Sequence, residues 1–180
     1  MMLQLNFILF PVLETERLIL RKISMDDAPD LFVLRTNEDA MKYINKPLPK
    51  SIDEIKVLIK NMNEITERIQ WAIALKTENK IVGTIGYHRI EKEHYRAEVG
   101  YMLHPDYWNT GLMTEALKVI IDFGFDEMNL HSIEGNINPN NAVSRKILEK
   151  FGFVKEAYFK ENYFFNGKFF DSEVYSLLKR

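Results

Sequence analysis

The sequence predicts a single α+β domain built around a central mixed β-sheet. Segments with helical periodicity alternate with segments of strand periodicity, in the order β-α-α-β-β-β-α-β-α-β-β. The dipeptide Asn166-Gly167 lies between two aromatic-rich segments, which is a strong signal for a β-hairpin. A length of 180 residues suits one domain, and no repeat or linker divides the chain. We therefore expect one domain over residues 1–180.

The first half of the chain contains two helices that begin at capping residues. Ser24 precedes Asp27 by three residues, a weaker relative of the capping box, and Ser51 precedes Glu54 by the same spacing. A turn at 77–79 separates two segments of strand character. The predicted elements are a strand at 18–23, helices from 24 to about 35 and at 51–68, and strands at 71–76 and 80–87.

The second half alternates strands and helices before it reaches the hairpin. A charged loop at 91–96 leads into an apolar strand, and a polar turn containing Gly111 precedes a helix with one apolar face. Gly152 is expected to end the last helix as a C′ glycine. The predicted elements are a strand at 97–103, a helix at 112–125, a strand at 132–138, a helix from Asn141, and two strands around Asn166-Gly167.

Composition argues against several classes of protein. A formal net charge of −2 disfavours a nucleic-acid binder that relies on a basic field. Cysteine is absent from the sequence, which rules out disulfides, thiolate metal sites and a cysteine nucleophile. The four histidines lack the spacing of metal ligands, so we predict no metal site.

The apolar segment 1–12 is interpreted as a leader or a first strand. No Lys or Arg precedes its apolar run and no small-residue cleavage site follows it, which disfavours a signal peptide. About a dozen apolar residues are too few for a membrane-spanning helix, which needs about 20. We expect a soluble, cytoplasmic protein with no membrane association.

The turn that contains Gly111 is a candidate anion site. The first N–H groups of a helix have no partner within it, and a helix N-terminus favours negative charge. Glycine lets the main chain approach a phosphate, and Thr110 and Thr114 add hydroxyl donors. From this turn alone an ordinary solvated helix cap is the better interpretation, because neither common phosphate-loop motif is present.

Several sequence blocks together resemble the GNAT superfamily of N-acetyltransferases. YWNTGLMTEAL at 107–117 is similar to the family's acyl-CoA pyrophosphate loop, and AEVGYML at 97–103 to the strand before it. NPNNAVSRKILEKFGF at 138–153 resembles the family's N-x-x-S segment, and FNGKFFDSEVYSLL at 165–178 its closing strands. The closest branch is that of the ribosomal-protein N-terminal (alanine) acetyltransferases. The resemblance implies a three-layer α/β/α domain with a mixed, mostly antiparallel sheet.

The resemblance also implies acetyl-CoA as cosubstrate and assigns residues to it. The diphosphate would bind main-chain groups of the loop, and the pantetheine arm would pair with the preceding strand. Trp108 stands where the family has Gln or Arg, and Met113 where it has Gly or Ala, so the Met113 side chain must point away from the diphosphate. The assigned residues are Met102, Leu103, Asn109, Thr110, Gly111, Leu112, Met113, Thr114 and Asn141.

Glu98 is the candidate catalytic base. It lies in an otherwise apolar strand just before the loop, where the family resemblance implies a catalytic glutamate, and partial burial would raise its pKa. The alternative is a structural carboxylate at the solvated end of an edge strand, or a partner of Arg96.

Ser144 is the candidate proton donor, because the N-x-x-S match implies contact with the acyl-CoA sulfur. The alternative is a helix-surface serine that bonds back to a carbonyl. Tyr158 and Tyr163 are other candidate donors, since phenol is the stronger acid. Backbone N–H groups near Leu103 would hold the oxyanion.

The acceptor is expected to be a primary amine that attacks the thioester directly. An α-amino group is neutral in roughly one molecule in seven at pH 7, and a lysine amine in roughly one in 2,500, so a base is needed most for lysine. The favoured acceptor is a protein or peptide N-terminus, in a cleft between the helices at 26–35 and 51–68 and the hairpin. A small amine or antibiotic, or a non-catalytic acyl-CoA-binding module, are the alternatives. Aromatic residues at 163–170 favour a homodimer.

Overall fold

The computed structural model of the chain describes residues 3, 5, 9–64 and 68–180. This part contains eight strands and five α-helices, which we number in chain order. The strands are β1 (Leu13–Glu14), β2 (Leu18–Lys22), β3 (Ile69–Leu75), β4 (Ile81–Glu91), β5 (Arg96–Leu103), β6 (Ser132–Ile137), β7 (Val154–Phe165) and β8 (Lys168–Leu178). The helices are α1 (Ala28–Thr36), α2 (Glu38–Met41), α3 (Ile52–Glu64), α4 (Leu112–Asp126) and α5 (Ala142–Lys150).

The strands form one sheet in the order β1-β2-β3-β4-β5-β6-β8-β7. Among the described residues each neighbouring pair is antiparallel except β5 with β6, which is parallel. At the turn between β7 and β8, Asn166 and Gly167 both have positive φ, as a tight two-residue hairpin requires. The predicted mixed, mostly antiparallel sheet and its closing hairpin are confirmed.

Helices cover both faces of the sheet, which confirms the three-layer arrangement. One face packs on α1 and α3 through a buried cluster that includes Leu31 and Ile59. The other face packs on α4 and α5 through a larger cluster that includes Ile120 and Leu148. Side chains alternate along a strand, so β5 contributes to both clusters.

Several boundaries differ from those predicted. Helix α3 ends at Glu64 and Arg68 lies in non-helical backbone, so the predicted helix at 51–68 was too long; residues 65–67 lie outside the described part. The short helix α2 was not predicted; Asn37 caps it by accepting a hydrogen bond from Ala40 N–H at 3.0 Å. The charged segment 91–96 is not a simple solvated loop, because Arg96 begins β5 and forms an ion pair with Glu134 at 3.1 Å.

The parallel strands β5 and β6 separate part way along their length. Their pairing runs from Arg96 opposite Ser132 to Glu98 opposite Glu134, although β5 continues to Leu103 and β6 to Ile137. Beyond Glu98 the two strands diverge, and the edge of β5 that faces β6 has no strand partner among the described residues. We call this opening the splay.

The described residues of segment 1–12 form no strand, since the first strand begins at Leu13. Phe10 packs against the core, and the indole of Trp71 donates a hydrogen bond to the carbonyl of Pro11 at 2.7 Å. Residues 1, 2, 4 and 6–8, on which the leader prediction also depends, lie outside the described part. None of the helices in the described part of the chain combines the length and the hydrophobicity that a membrane span requires.

Candidate active site

The turn before α4 has the backbone geometry of an anion-binding loop. Gly111 is the N-cap of α4 and has a φ of 83°, and Asn109 has a φ of 60°. Both values lie in the left-handed region, which glycine and asparagine adopt more readily than other residues. Residues 108–111 are exposed, so the loop lies at the surface.

The N–H groups at this helix start are free to bind a ligand. No side chain caps the helix, and the first bond that returns to the N-cap runs from Glu115 N–H to Gly111 C=O at 3.0 Å. Within the described part of the chain, the N–H groups of Leu112, Met113 and Thr114 have no acceptor. Unpaired N–H groups at a helix N-terminus suit a diphosphate.

The departure from the family pattern at Met113 does not block this site. The Met113 side chain is 7% exposed and packs in the larger cluster between α4 and the sheet. As predicted, the side chain points away from the loop surface. The predicted hydroxyl donor at Thr110 is used within the loop instead, because its Oγ1 donates to the carbonyl of Tyr107 at 2.6 Å.

Two side chains hold the loop, and the sequence did not indicate either contact. The Trp108 indole donates to the Leu103 carbonyl at 2.8 Å, which ties the loop to the end of β5. Arg17, between β1 and β2, donates from Nη1 to the Thr110 carbonyl at 2.9 Å and from Nε to Glu115 at 2.7 Å. Arg17 thereby brings a guanidinium group beside a loop that has no basic residue of its own.

The strand before the loop directs main-chain groups towards the splay. His104 N–H donates to Val82 C=O at 2.8 Å, so the main chain of His104 faces β4. Main-chain groups alternate in direction along an antiparallel strand, so those of Leu103 and Tyr101 face the splay. Those of Met102 face β4, and its side chain is buried with α1 and α3. Leu103 keeps its predicted position, whereas Tyr101 and not Met102 has the matching main-chain orientation.

Glu98 lies at the root of the splay, in the last residue pair before the strands separate. Its side chain is 21% exposed and lies 3.5 Å from Arg89 Nη1. Burial raises the pKa of the Glu98 carboxyl, Arg89 opposes this, and Glu134 adds to it. The predicted direction of the pKa shift is confirmed. The alternative pairing with Arg96 is not found, because Arg96 binds Glu91 and Glu134.

Ser144 and Asn141 lie at the start of α5. Asn141 is the N-cap and its side-chain oxygen accepts a hydrogen bond from Ser144 N–H at 3.1 Å. The side chain of Asn141 therefore has a structural role in the helix, while its amide N–H₂ group is a donor. Ser144 is half-buried, and its hydroxyl lies close to the Tyr101 hydroxyl.

Tyr101 is a residue of this site that sequence analysis missed. Its hydroxyl is buried and has no hydrogen-bond partner of good geometry among the described residues. Burial raises its pKa to about 12, and the nearby Ser144 hydroxyl counters part of this effect. A buried hydroxyl without a partner is uncommon in proteins and indicates a ligand or a water at that point. A tyrosine alternating with apolar residues gave no signal in the sequence.

The two tyrosines of the hairpin are engaged elsewhere. Tyr158 donates to the carboxylate of Asp171, and Tyr163 donates to the carbonyl of Asn45 at 3.2 Å. The second contact joins the hairpin to the loop before α3. No cluster of three potential metal ligands occurs among the described residues.

These positions form a candidate active site. The base candidate Glu98 faces the layer of α1 and α3, whereas Tyr101 and Ser144 lie on the side of α5. The splay separates them and leads to the loop at Gly111. A candidate base, a hydroxyl pair and a helix start without a side-chain cap thus lie around one opening in the sheet.

Comparison with known proteins agrees with this class. The chain matches the acetyltransferase (GNAT) domain family over residues 17–154, and it belongs to that family. It is 32% identical to the uncharacterized N-acetyltransferase YoaA of Bacillus subtilis over 174 residues, covering 95% of this chain and 98% of that protein. The protein is therefore an N-acetyltransferase, of a family that uses acetyl-CoA.

Solved structures show the same fold. The GNAT-family acetyltransferase of Bacillus anthracis is 29% identical, with a TM-score of 0.83 over 93% of this chain and 98% of that one. A ribosomal-protein-S5-alanine acetyltransferase from Vibrio fischeri is 26% identical, with a TM-score of 0.79 over 93% and 96%. This similarity agrees with the branch indicated by the sequence.

A further relative has a named small-molecule acceptor. The spermidine N(1)-acetyltransferase of Escherichia coli K12 is 25% identical over 138 residues, covering 76% of this chain and 73% of that protein. Relatives of this chain thus include enzymes named for a protein acceptor and for a polyamine.

Proposed function

We propose that the protein transfers the acetyl group of acetyl-CoA to the N-terminal amine of a protein or peptide by direct attack. The observation that carries the proposal is the half-buried Glu98 at the root of the splay, with a raised pKa. The resemblance to ribosomal-protein acetyltransferases supports the choice of a protein N-terminus.

Glu98 is proposed as the base that takes a proton from the attacking amine. An α-amino group with a pKa near 7.8 is already partly neutral at pH 7, so the base has to deprotonate only the remaining ammonium form. A carboxyl whose pKa is raised by burial is a better match to that amine than an exposed glutamate. The proton passes from the ammonium nitrogen to Glu98, or to a water that Glu98 binds.

The loop and the splay are proposed to position the cosubstrate. The residues proposed to bind it are Asn109, Thr110, Gly111, Leu112, Met113 and Thr114 through the main chain, with Leu103, Tyr101 and Asn141 along the splay. Met102 contributes by packing, because its main chain faces β4. Arg17 holds the loop from the side, with its guanidinium paired to Glu115.

Ser144 and Tyr101 are proposed to stabilise the leaving thiolate by hydrogen bonding. Neither hydroxyl is acidic enough to be a strong proton donor, since burial raises the pKa of Tyr101 to about 12. A hydroxyl pair in a partly buried place still stabilises developing negative charge. The N–H of Leu103 is proposed to bind the oxyanion.

The replacement Glu98→Gln tests the proposed base. We expect kcat/KM for a neutral peptide N-terminus to fall by about 100-fold or more, because general base catalysis contributes about that much. Activity should rise with pH through the pKa of Glu98 in the wild type, because the carboxylate is the active form, and this limb should vanish in the variant. The measurement is thiol release from acetyl-CoA across pH, with CoA affinity measured by calorimetry and expected to stay the same.

The matched control is Glu134→Gln, which removes the carboxylate opposite Glu98. Glu134 raises the Glu98 pKa, so this variant should move the acidic limb to lower pH without abolishing it. A pH profile of Glu98→Gln that matches the wild type would exclude Glu98 as the base.

The alternative acceptor is a small amine, for which the similarity to a spermidine acetyltransferase is the specific observation. A panel with an N-terminal peptide, spermidine and free lysine distinguishes the two. Turnover of spermidine but not of peptides would replace the proposal. CoA binding without turnover of any amine would indicate an acyl-CoA-binding module.

The homodimer and the cytoplasmic location stay predictions. Phe164 and Phe169 are 61% and 63% exposed and their rings contact each other on the hairpin, 4.9 Å between centroids. Sedimentation analysis of the wild type and of Phe164→Ser would test whether this pair joins two copies.

A further inference from the structure

Two arginines from different elements act electrostatically on each other, and each has a buried Nε that lacks a partner among the described residues. Arg35 lies in the last turn of α1, and Arg68 immediately precedes β3. Each is half-buried, and the Nε atom of each is fully buried without a hydrogen-bond partner. Within the described residues neither guanidinium forms an ion pair.

The two charges are close enough to act on each other. Burial lowers the pKa of Arg35, and the charge of Arg68 lowers it further. Buried cations in proteins are normally paired with carboxylates, because an unpaired charge is costly to remove from water. A pair of cations in this state is stabilised when an anion binds between them, and planar guanidinium groups bind carboxylates with two parallel hydrogen bonds.

The arginine pair lies in the same row of the sheet as the candidate base. Ile69 is opposite Tyr87 in the ladder, so the preceding residue Arg68 lies beside His88. His88 is in turn opposite Glu98 on the next strand. Adjacent strands are about 4.8 Å apart, so the backbones at Glu98 and Arg68 are separated by about 10 Å.

The electrostatic surroundings of His88 show positive charge at the Arg68 end of the row formed by Arg68, His88 and Glu98. The charges of Arg68, Arg35 and Lys46 all act on the His88 imidazole. Lys46 lies in the loop before α3, the loop whose Asn45 carbonyl binds Tyr163 of the hairpin. Arg68, Arg35 and Lys46 therefore lie at the end of the row away from Glu98, whose own carboxylate is 3.5 Å from Arg89.

We propose that the acceptor carries a carboxylate, which binds Arg35 and Arg68 while its amine lies at Glu98. The inference rests on the proposed function and specifies its substrate class: a peptide N-terminus with an acidic side chain in its first residues. The backbones at Glu98 and Arg68 are about 10 Å apart, a span that a peptide covers with an amine and a side-chain carboxylate one or two residues apart. A polyamine fits poorly, because its second ammonium group would meet the arginines.

Matched peptides test the proposal on the wild-type enzyme. Two hexapeptides differ only at the second residue, Glu in one and Gln in the other, and a third carries Lys there. We expect kcat/KM for the Glu peptide to exceed that for the Gln peptide by about tenfold or more, because a hydrogen-bonded charge pair is lost in the latter. The Lys peptide and spermidine should be the poorest acceptors.

Variants locate the effect at the two arginines. Arg68→Gln and Arg35→Gln should each reduce the Glu-to-Gln preference to about one, mainly through KM for the Glu peptide. Their thermal midpoints should equal or exceed that of the wild type, because each variant removes a repulsion between like charges. The control Arg180→Gln, at the exposed C-terminus, should retain the full preference.

The outcomes separate this inference from the proposed function. Acetylation of all three peptides at equal rates, or a preference that survives in Arg68→Gln, would overturn the inference and leave the proposed function intact. Acetylation of free glutamate but of no peptide would support the carboxylate site and overturn the peptide acceptor. Preference for spermidine over every acidic acceptor would overturn both.

Discussion

At the scale of single residues, burial has opposite effects on two neighbours in the same row of the sheet. Glu98 and His88 face each other across β4 and β5, and burial favours the neutral form of each. The pKa of Glu98 is raised, and that of His88 is lowered to about 4 by burial first and then by Arg68, Arg35 and Lys46. At neutral pH the His88 imidazole is therefore neutral, and it lies between Glu98 and Arg68 in the row.

The lowered pKa of His88 predicts a loss of stability in acid. Between pH 6.5 and 4 the unfolded chain takes up a proton that the folded protein does not, so stability present above pH 6.5 is lost as the pH falls. The contribution is at most about 3 kcal/mol. The replacement His88→Gln should remove it, and urea unfolding of both proteins at pH 7 and pH 4 measures the difference.

This prediction would be contradicted if the free energy of unfolding fell by the same amount between pH 7 and pH 4 in the wild type and in His88→Gln. Carboxylates titrate in the same range, so only the difference between the two proteins reports on His88. Glutamine is chosen because its side chain is similar in length to that of histidine. The His88 ring packs closely against Gly100, where an added Cβ would be 2.9 Å from the imidazole.

At the scale of elements, one loop combines contributions from three parts of the chain. Gly111 supplies the left-handed turn, Trp108 fixes the loop to β5, and Arg17 reaches it from the β1–β2 connection. The Met113 side chain anchors the first turn of α4 in the core. The N–H groups are therefore held in place before any ligand binds, which lowers the entropic cost of binding.

A pair of glycines separates the effect of the loop on binding from its effect on folding. Gly111 and Gly152 both have a φ of 83°, and an added Cβ meets only ordinary contacts at either position. Gly111→Ala and Gly152→Ala should each cost about 1–2 kcal/mol of stability, because alanine is strained in this region. Only Gly111→Ala should also weaken CoA binding, by about tenfold, as measured by calorimetry.

Equal CoA affinities in the two glycine variants would argue against the loop as the diphosphate site. Gly152 follows the C-terminal end of α5, whereas Asn141 caps its N-terminal end. Gly152→Ala therefore measures the effect of backbone strain at a position outside the loop.

At the scale of the whole molecule, the proposed function depends on an interruption of the sheet. The parallel pair β5 and β6 is the one place in the described ladder where two strands lose their pairing while both continue. Helices from both faces reach this opening, because α1 and α3 cover one side and α4 and α5 the other. A cosubstrate and an acceptor could therefore approach the same bond from opposite sides.

Binding of the cosubstrate should stabilise the whole fold, because the loop and the splay connect both halves of the sheet. At a CoA concentration of about 100 times Kd the stabilisation is about 2.7 kcal/mol, which is a rise in thermal midpoint of about 5–10 °C. Pantetheine, which lacks the diphosphate, should give a much smaller rise. Differential scanning fluorimetry with both compounds measures this, and equal shifts would exclude the loop as the main binding site.

Local patterns in the sequence were sufficient to predict most helices and strands and the position of the loop before α4. The cap at Asn141, the turn at Asn166-Gly167 and the stop at Gly152 are features that neighbouring residues determine together, so they were predicted correctly. The helix predicted from Ser24 begins later, because Ser24 caps a 3-10 turn and α1 starts at Ala28. The short helix α2 and the end of α3 were not predicted correctly, because helix boundaries depend on packing as well as on local pattern.

Local sequence patterns were enough to predict the order of elements, the hairpin, the glycine at the loop and Glu98 in an apolar strand. The contacts between distant groups became known from the fold: Arg17 with Thr110, 93 residues away, Tyr101 near Ser144, and the charge of Arg68 acting on Arg35. The reason is physical, since turns and caps act between neighbours in the chain. Burial and charge depend on groups that only the folded chain brings together.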